Sequence, residues 1–251
     1  ASLASGLKRD FKADYMVDSE SFDGAGGLSA DLGAKLRSAP GIKAVTANRV
    51  TTAKVGDELM DDFNAWDTAN VSTMVDLGHV QGSIKDLGKD GLAVDAKYAK
   101  SYGWTLGTHV PVTYVDGKHD FVVKAIFDHS RQWTGRVWTA IEASPAELDY
   151  RLVVNADSRA AVTRITDAYP AAKVYDTDQL ISALQKEIGK TLNLVYTLLA
   201  LAVGIALLGI ANTLALSVHE RTREIGLLRA VGMSRRQVRS TIRWESALLA
   251  L

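Results

Sequence analysis

From Leu194 to Val218 the chain reads LVYTLLALAVGIALLGIANTLALSV, 25 residues without a charge. At about 1.5 Å rise per residue, a helix of that length outreaches the roughly 30 Å hydrocarbon core of a bilayer. Helices of soluble cores seldom stay apolar all round for so long, and a secretory signal would stand at an N-terminus rather than deep in the chain. The run predicts a transmembrane helix over 194–218. Arg221, Arg223, Arg229, Arg235, Arg236, Arg239 and Arg243 follow at once, so the positive-inside rule puts this flank in the cytoplasm and residues 1–193 outside it. The neutral total charge is a cancellation. Residues 1–193 hold 22 basic against 26 acidic side chains, net −4, and residues 194–251 hold 7 arginines against 3 glutamates, net +4. There is no cysteine, so no disulfide frame or thiolate metal site is open to the chain.

Small residues recur four apart in the span, as Ala200 with Gly204, Ala202 with Ala206, and Ala211 with Ala215. Such spacing lets a second helix approach closely, which points to other transmembrane helices as partners. Asn212 and Thr213 within the span fit interhelical hydrogen bonding. Beyond the basic flank, WESALLAL (244–251) sets an aromatic at interface depth before a fresh apolar run, as the start of a next transmembrane helix. Leu3, Leu7 and Phe11, four apart, read residues 1–12 as the end of a stalk or transmembrane helix. These ends predict the middle of a larger, multi-pass membrane protein.

Residues 13–176 read as an α+β domain. ADYMV (13–17), a helix candidate from Ser29 to Ser38 and the strand-like IKAVTANRV (42–50) make one β-α-β unit. RLVVNA (151–156), a helix candidate from Asp157 to Ala168 and AKVYD (172–176) make another. Two such units packed together predict a ferredoxin-like, split βαβ sandwich, here interrupted by a mostly-β inserted subdomain over 51–143. In the insert, Asp116-Gly117 between two alternating runs signals a hairpin, and Ser144-Pro145-Ala146-Glu147 has the grammar of a short helix start. Thr177 is a candidate N-cap for a stalk helix over 177–193, where Leu180, Leu184, Ile188 and Leu192 recur every four residues.

Nothing in the sequence assembles catalysis. The five histidines fall in no metal-ligand spacing, Asp61, Asp62 and Asp76 lack a recognisable acid/base partner, and the glycines from Gly24 to Gly27 lack the Lys-Ser/Thr of a phosphate loop. The arginine cluster abuts a membrane span, which favours lipid headgroups over nucleic acid. The chain is therefore read as no enzyme, with no cofactor or metal of its own.

The segment 219–243 carries the strongest pattern. In HERTREIGLLRAVGMSRRQVRSTI (219–242), Ile225 and Leu228 share one helical face and Leu227 and Val231 another. Gly232 is a natural helix stop, and Ser234 with Gln237 has the spacing of a capping box. The stretch NTLALSVHERTREIGLLRAVGMSRRQV (212–238) resembles the signature of the FtsX-like permeases, the superfamily that includes MacB and the LolC/LolE lipoprotein-release permeases. The family's E-R-x-R-E-I-G-x-L-R-A-x-G run matches at Glu220, Arg221, Arg223, Glu224, Ile225, Gly226, Leu228, Arg229, Ala230 and Gly232. Residues 91–128 are more weakly similar to the MacB-type periplasmic core, departing at Thr108-His109, where the family has an acidic residue, and at Ala125, where it has glycine.

The resemblance implies a permease whose cytoplasmic helix docks on an ABC ATPase through Glu220, Arg221, Glu224, Ile225, Leu228, Arg229 and Gly232. The ATPase, not this chain, would bind ATP. It implies, too, an outer domain that moves with the nucleotide cycle, to export or extract a lipid-like cargo or to regulate an extracellular partner. Without the motif, a span with a basic flank serves equally a membrane-anchored ligand-binding sensor.

Overall fold

The structure is a computed structural model and describes residues 9–19, 27–129 and 131–249. The chain divides into two compact units, one ending at Gln185 and one beginning at Lys186. Leu3 and Leu7, and most of the 1–12 segment read as a helix end, lie outside the described residues.

In chain order the first unit comprises β1 (Tyr15–Ser19), α1 (Ala30–Arg37), β2 (Ile42–Val55), β3 (Glu58–Trp66), α2 (Val71–Met74), β4 (Val80–Gly82) and β5 (Gly91–Asp95). It continues through α3 (Ala96–Tyr102), β6 (His109–Tyr114), β7 (Gly117–Phe127), α4 (Arg131–Thr134), β8 (Val137–Ala140), β9 (Arg151–Ala156), α5 (Arg159–Thr166) and β10 (Ala172–Asp176). Helix α6 (Thr177–Ala230) leaves it, and α7 (Arg235–Leu249) closes the described chain.

Local chemistry starts and stops these helices. Ser29 Oγ accepts from the Asp31 N–H at the head of α1, and Ser158 caps α5 through the Ala161 N–H. Asp95 caps α3 through Tyr98, and Gly103 ends it in a left-handed conformation. At the head of α6 the cap is Asp176, whose Oδ1 accepts from the Gln179 N–H at 2.8 Å, rather than Thr177 as the sequence suggested.

Among the described residues, the strands form one sheet in the order β10-β1-β9-β2-β3-β8-β5-β7-β4, with β6 bridging β2 and β7. The first four interleave the two β-α-β units. β1 lies between β10 and β9, and β9 between β1 and β2, all antiparallel, so the parallel pair of each unit holds a strand of the other. The expected inserted subdomain does not separate as its own sheet. β2 runs 14 residues straight through the predicted boundary at Thr51, marked only by a bulge between Thr51 and Ala53, and turns at Gly56 into β3. The backbone groups of β3, β8, β5, β7 and β4 then extend the same ladder, since continuing a sheet satisfies edge N–H and C=O groups that a new sheet would leave open.

Helices α1 and α5 cover one face of β1, β9 and β2, with Leu32, Leu36 and Val162 on Val17, Val45 and Leu152. The opposite face packs Met16, Trp66, Trp138, Val153 and Phe127 under Phe11, Met74, Trp133 and Leu180. Leu180 shows that the first turns of α6 belong to this unit. Phe11, read as part of an N-terminal helix, instead bridges Val75 and packs on Trp133 with ring centroids 4.9 Å apart. The distal half has its own apolar set, with Phe63, Leu92, Val112 and Val123 beside Tyr98 and Ala99 of α3.

Two further local readings change. The predicted helix after Ser144 does not form. Ser144 Oγ accepts from the Ala146 N–H, but Arg49 takes the Ala146 carbonyl at 2.8 Å and Asp149 bridges Leu28, so the segment is held open by tertiary bonds. The β6–β7 hairpin forms with its turn at Val115-Asp116, one residue earlier than the Asp-Gly pair, because Gly117 already pairs with Tyr114.

Candidate functional site

The segment singled out by the sequence lies in the second unit. Helix α6 is continuous from the apolar run through the motif to Ala230. The chain turns at Val231–Ser234, where Gly232 was expected to stop the helix. The Val231 N–H reaches the Leu227 carbonyl, the Met233 N–H reaches Leu228, and Gly232 adopts φ +103, a conformation costly for any residue with a Cβ. Gln237 then reaches back one turn. Its Oε1 accepts from the Ser234 N–H at 3.0 Å and from the Ser234 hydroxyl at 2.8 Å, half of a capping box with the serine hydroxyl turned to the glutamine.

At 3.6 residues per turn, Glu220, Glu224, Leu228, Arg221, Ile225 and Arg229 occupy one half of the α6 circumference, in that angular order. Acidic, apolar and basic groups thus share one half-cylinder. Glu220, Glu224 and Arg229 are exposed, Leu228 is 41% exposed, and Arg221 and Ile225 are half-buried. The neighbouring apolar pair is barer still, with Leu227 at 66% and Val231 at 85%. Gly226 lies on the other half, and a Cβ there would meet nothing within 4 Å, so no contact inside the chain requires a glycine.

Further up α6, the span is open to its surroundings. Over Gly189–Ala230 the most apolar 18-residue window has a mean hydropathy of 2.5 and no buried residue. Among the described residues this is the one helix long and apolar enough to cross a membrane. Ala200, Gly204, Ala211 and Ala215 fall within about 60° of arc, while Ala202 and Ala206 fall on the opposite side. The structure thus separates the predicted packing residues into two stripes. The hydroxyl of Thr213 bonds back to the Gly209 carbonyl at 2.9 Å and is satisfied within its own helix.

Residues 196–251 match the family described as FtsX-like permease C-terminal. The match takes in the second half of α6 and all of α7. No curated protein sequence matches the chain. Among solved structures, it is similar to the periplasmic region of MacB from Actinobacillus actinomycetemcomitans, at 12% identity over 70% of this chain and 95% of that one, with a TM-score of 0.49. It is also similar to the extracellular domain of the noncanonic ABC-type transporter YknZ from Gram-positive bacteria, at 16% identity over 64% and 98%, TM-score 0.45. A third is a domain of a putative permease protein from Porphyromonas gingivalis, at 15% identity over 62% and 79%, TM-score 0.42.

The first unit holds a constellation that sequence reasoning missed. Asp18, Arg151, Asn48 and Trp66 stand abreast on β1, β9, β2 and β3, on the face away from α1 and α5. Asp18 and Asn48 are each 1% exposed. Asn48 Nδ2 donates to Asn64 Oδ1 at 3.0 Å and to the Ala65 carbonyl, but Asp18 Oδ1, Asn48 Oδ1, Arg151 Nε and Trp66 Nε1 find no hydrogen-bond partner. Arg151 stays 3.8 Å from Asp18, and burial pushes the Asp18 carboxyl above the usual carboxylate range despite that neighbour. No local motif announces such a row, because neighbours in it are 18 to 133 positions apart in sequence and only the strand register aligns them. Elsewhere, Glu58 is engaged by Tyr98, Tyr102 and Arg136, with the Tyr98 hydrogen bond chief among the causes that lower its pKa. Among the described residues no three His, Asp or Glu side chains converge as a metal set.

Proposed function

We propose that this chain is the permease component of an ABC transporter, in which the end of α6 docks on a cytoplasmic ATPase that binds the ATP and an outer domain moves in response. The observation that carries the reading is the FtsX-like match over residues 196–251, coinciding with a helix end that exposes acidic, apolar and basic side chains on one half-cylinder. Membrane dimensions support the placement. Gly189–Ala230 is 42 residues, about 63 Å of helix, and only about 20 residues fit a hydrocarbon core. With 194–218 in the bilayer, the arginine-bearing turns 219–230 protrude on the cytoplasmic side and the first unit lies outside the cell. Other transmembrane helices would cover the small-residue stripes. The outer unit would act on a lipid-like cargo or an extracellular partner.

The test is co-purification of the ATPase and stimulation of its activity by reconstituted full-length permease. Ile225→Asp and Leu228→Asp are expected to abolish both, because an unpaired carboxylate forced into a protein contact costs several kcal/mol, comparable with a docking energy. Arg235→Ala on α7 should leave both near the unaltered level. Wild-type stimulation in the two aspartate variants, or equal loss in all three, would assign the motif to membrane topology alone.

A further inference from the structure

Helix α7 has two unlike sides. Among the described side chains after Leu180, Val238 alone is buried. On the opposite side, Arg236, Arg239, Ser240 and Trp244 line one concave patch, all exposed, with Trp244 at 71%. They span about 140° of helix, and among the described residues no carboxylate lines the patch. The two guanidinium groups show no resolved partner within it, whereas the hydroxyl of Thr241, off the patch, bonds back to the Gln237 carbonyl.

We propose that this patch is a binding site for the phosphate of an anionic phospholipid headgroup. Two guanidinium groups three residues apart present planar forks that match phosphate oxygens, and the Ser240 hydroxyl adds a rotatable donor between them. One turn on, Trp244 supplies an amphipathic ring of the kind that settles at headgroup depth, its body toward acyl chain and its N–H toward water. What commits the site to lipid is its neighbourhood. The same unit carries the bare apolar span, and the medium that covers that span has phosphates at its boundary. The patch faces away from Val238, so a headgroup can reach it without disturbing the turn at Gly232. The inference rests on reading 219–243 as lying beside a membrane surface, but does not depend on ATPase docking.

The experiment measures retention of phosphatidylglycerol and of phosphatidylcholine by the detergent-solubilised full chain, with inorganic phosphate as competitor. Wild type should favour phosphatidylglycerol. Arg236→Gln with Arg239→Gln should lower that affinity about 30-fold, at roughly 5-fold for each arginine near a lipid surface. Trp244→Ala should weaken both lipids alike, and Arg235→Gln, outside the patch, should change neither by more than about twofold. Unaltered thermal unfolding of the first unit serves as the folding control. Full displacement by inorganic phosphate would mean a free-anion site and overturn the lipid assignment. Unchanged phosphatidylglycerol retention in the double variant would overturn the proposal, and if the ATPase were lost from that same variant the patch would be a protein interface. Failure of Ile225→Asp to uncouple the ATPase, with lipid retention as expected, would remove the docking reading and leave this one.

Discussion

The two units satisfy their apolar side chains in opposite ways. Up to Gln185, a single sheet is buried on both faces, and Trp66, Trp138, Phe63 and Phe127 are each no more than 1% exposed. From Lys186, Leu198, Leu201, Ile205 and Leu208 stand between 58% and 72% exposed on a helix with no described partner along that stretch. The apolar residue types are shared, since Ala, Val and Leu are the commonest of them in the first unit and Leu and Ala in the second. The difference is period: apolar residues alternating at two or recurring at three and four demand a partner in the same chain, while a run apolar on every side demands a medium.

The largest expected contrast comes from truncating one apolar side chain in each unit. Trp138→Ala should destabilise the first unit by about 4 kcal/mol, the cost of lost burial plus cavity. Leu207→Ala, on the exposed span, should leave that unit's unfolding unchanged. Thermal unfolding followed by near-ultraviolet circular dichroism of the full chain in micelles checks both, and similar shifts would break the comparison.

A smaller effect is expected at Asp18, where the well-packed unit buries a carboxylate. Its folded pKa is raised by burial, so ionisation costs stability above that folded pKa, and wild type gains stability as pH falls through it toward the ordinary carboxylate value near 4. Asp18→Asn should therefore be more stable than wild type at pH 8, with the gap closing on acidification. Denaturant midpoints of the pair at pH 8, 6 and 4.5 measure it, and a gap that widens toward acid would mean that Arg151 dominates over burial.

The smallest is at Gly226. With open space around a Cβ, Gly226→Ala should add about 1 kcal/mol to the local helix, read as slower amide exchange in α6. If ATPase stimulation nevertheless falls, the glycine serves close approach by a partner outside the chain. Unchanged stimulation would confine docking to the other half of the helix.

How much of this was legible depends on how far each cause reaches along the chain. Ser29, Ser158 and Gly232 act within four residues, and each does at a helix end what its residue type suggests. Helix α3 was passed over although Asp95 and Gly103 bracket it, because the surrounding strands drew the reading toward β. The Ser144 segment misled for the reverse reason: its local grammar is sound, but Arg49 and Leu28, about a hundred positions away, hold it open.

By itself, the sequence determined the features that depend only on neighbours along the chain. It marked the membrane helix by an uninterrupted apolar run, the sidedness expectation by arginines next to it, the strands and helices by period and cap, and the permease signature by consecutive residues. Only tertiary structure decided the features that depend on register between distant strands. It joined the insert to the first β-α-β unit in one sheet and aligned Asp18, Arg151, Asn48 and Trp66 into one row. Backbone hydrogen bonds across a sheet carry no sequence spacing of their own, so pairing must be formed before the side chains that it brings together can be known.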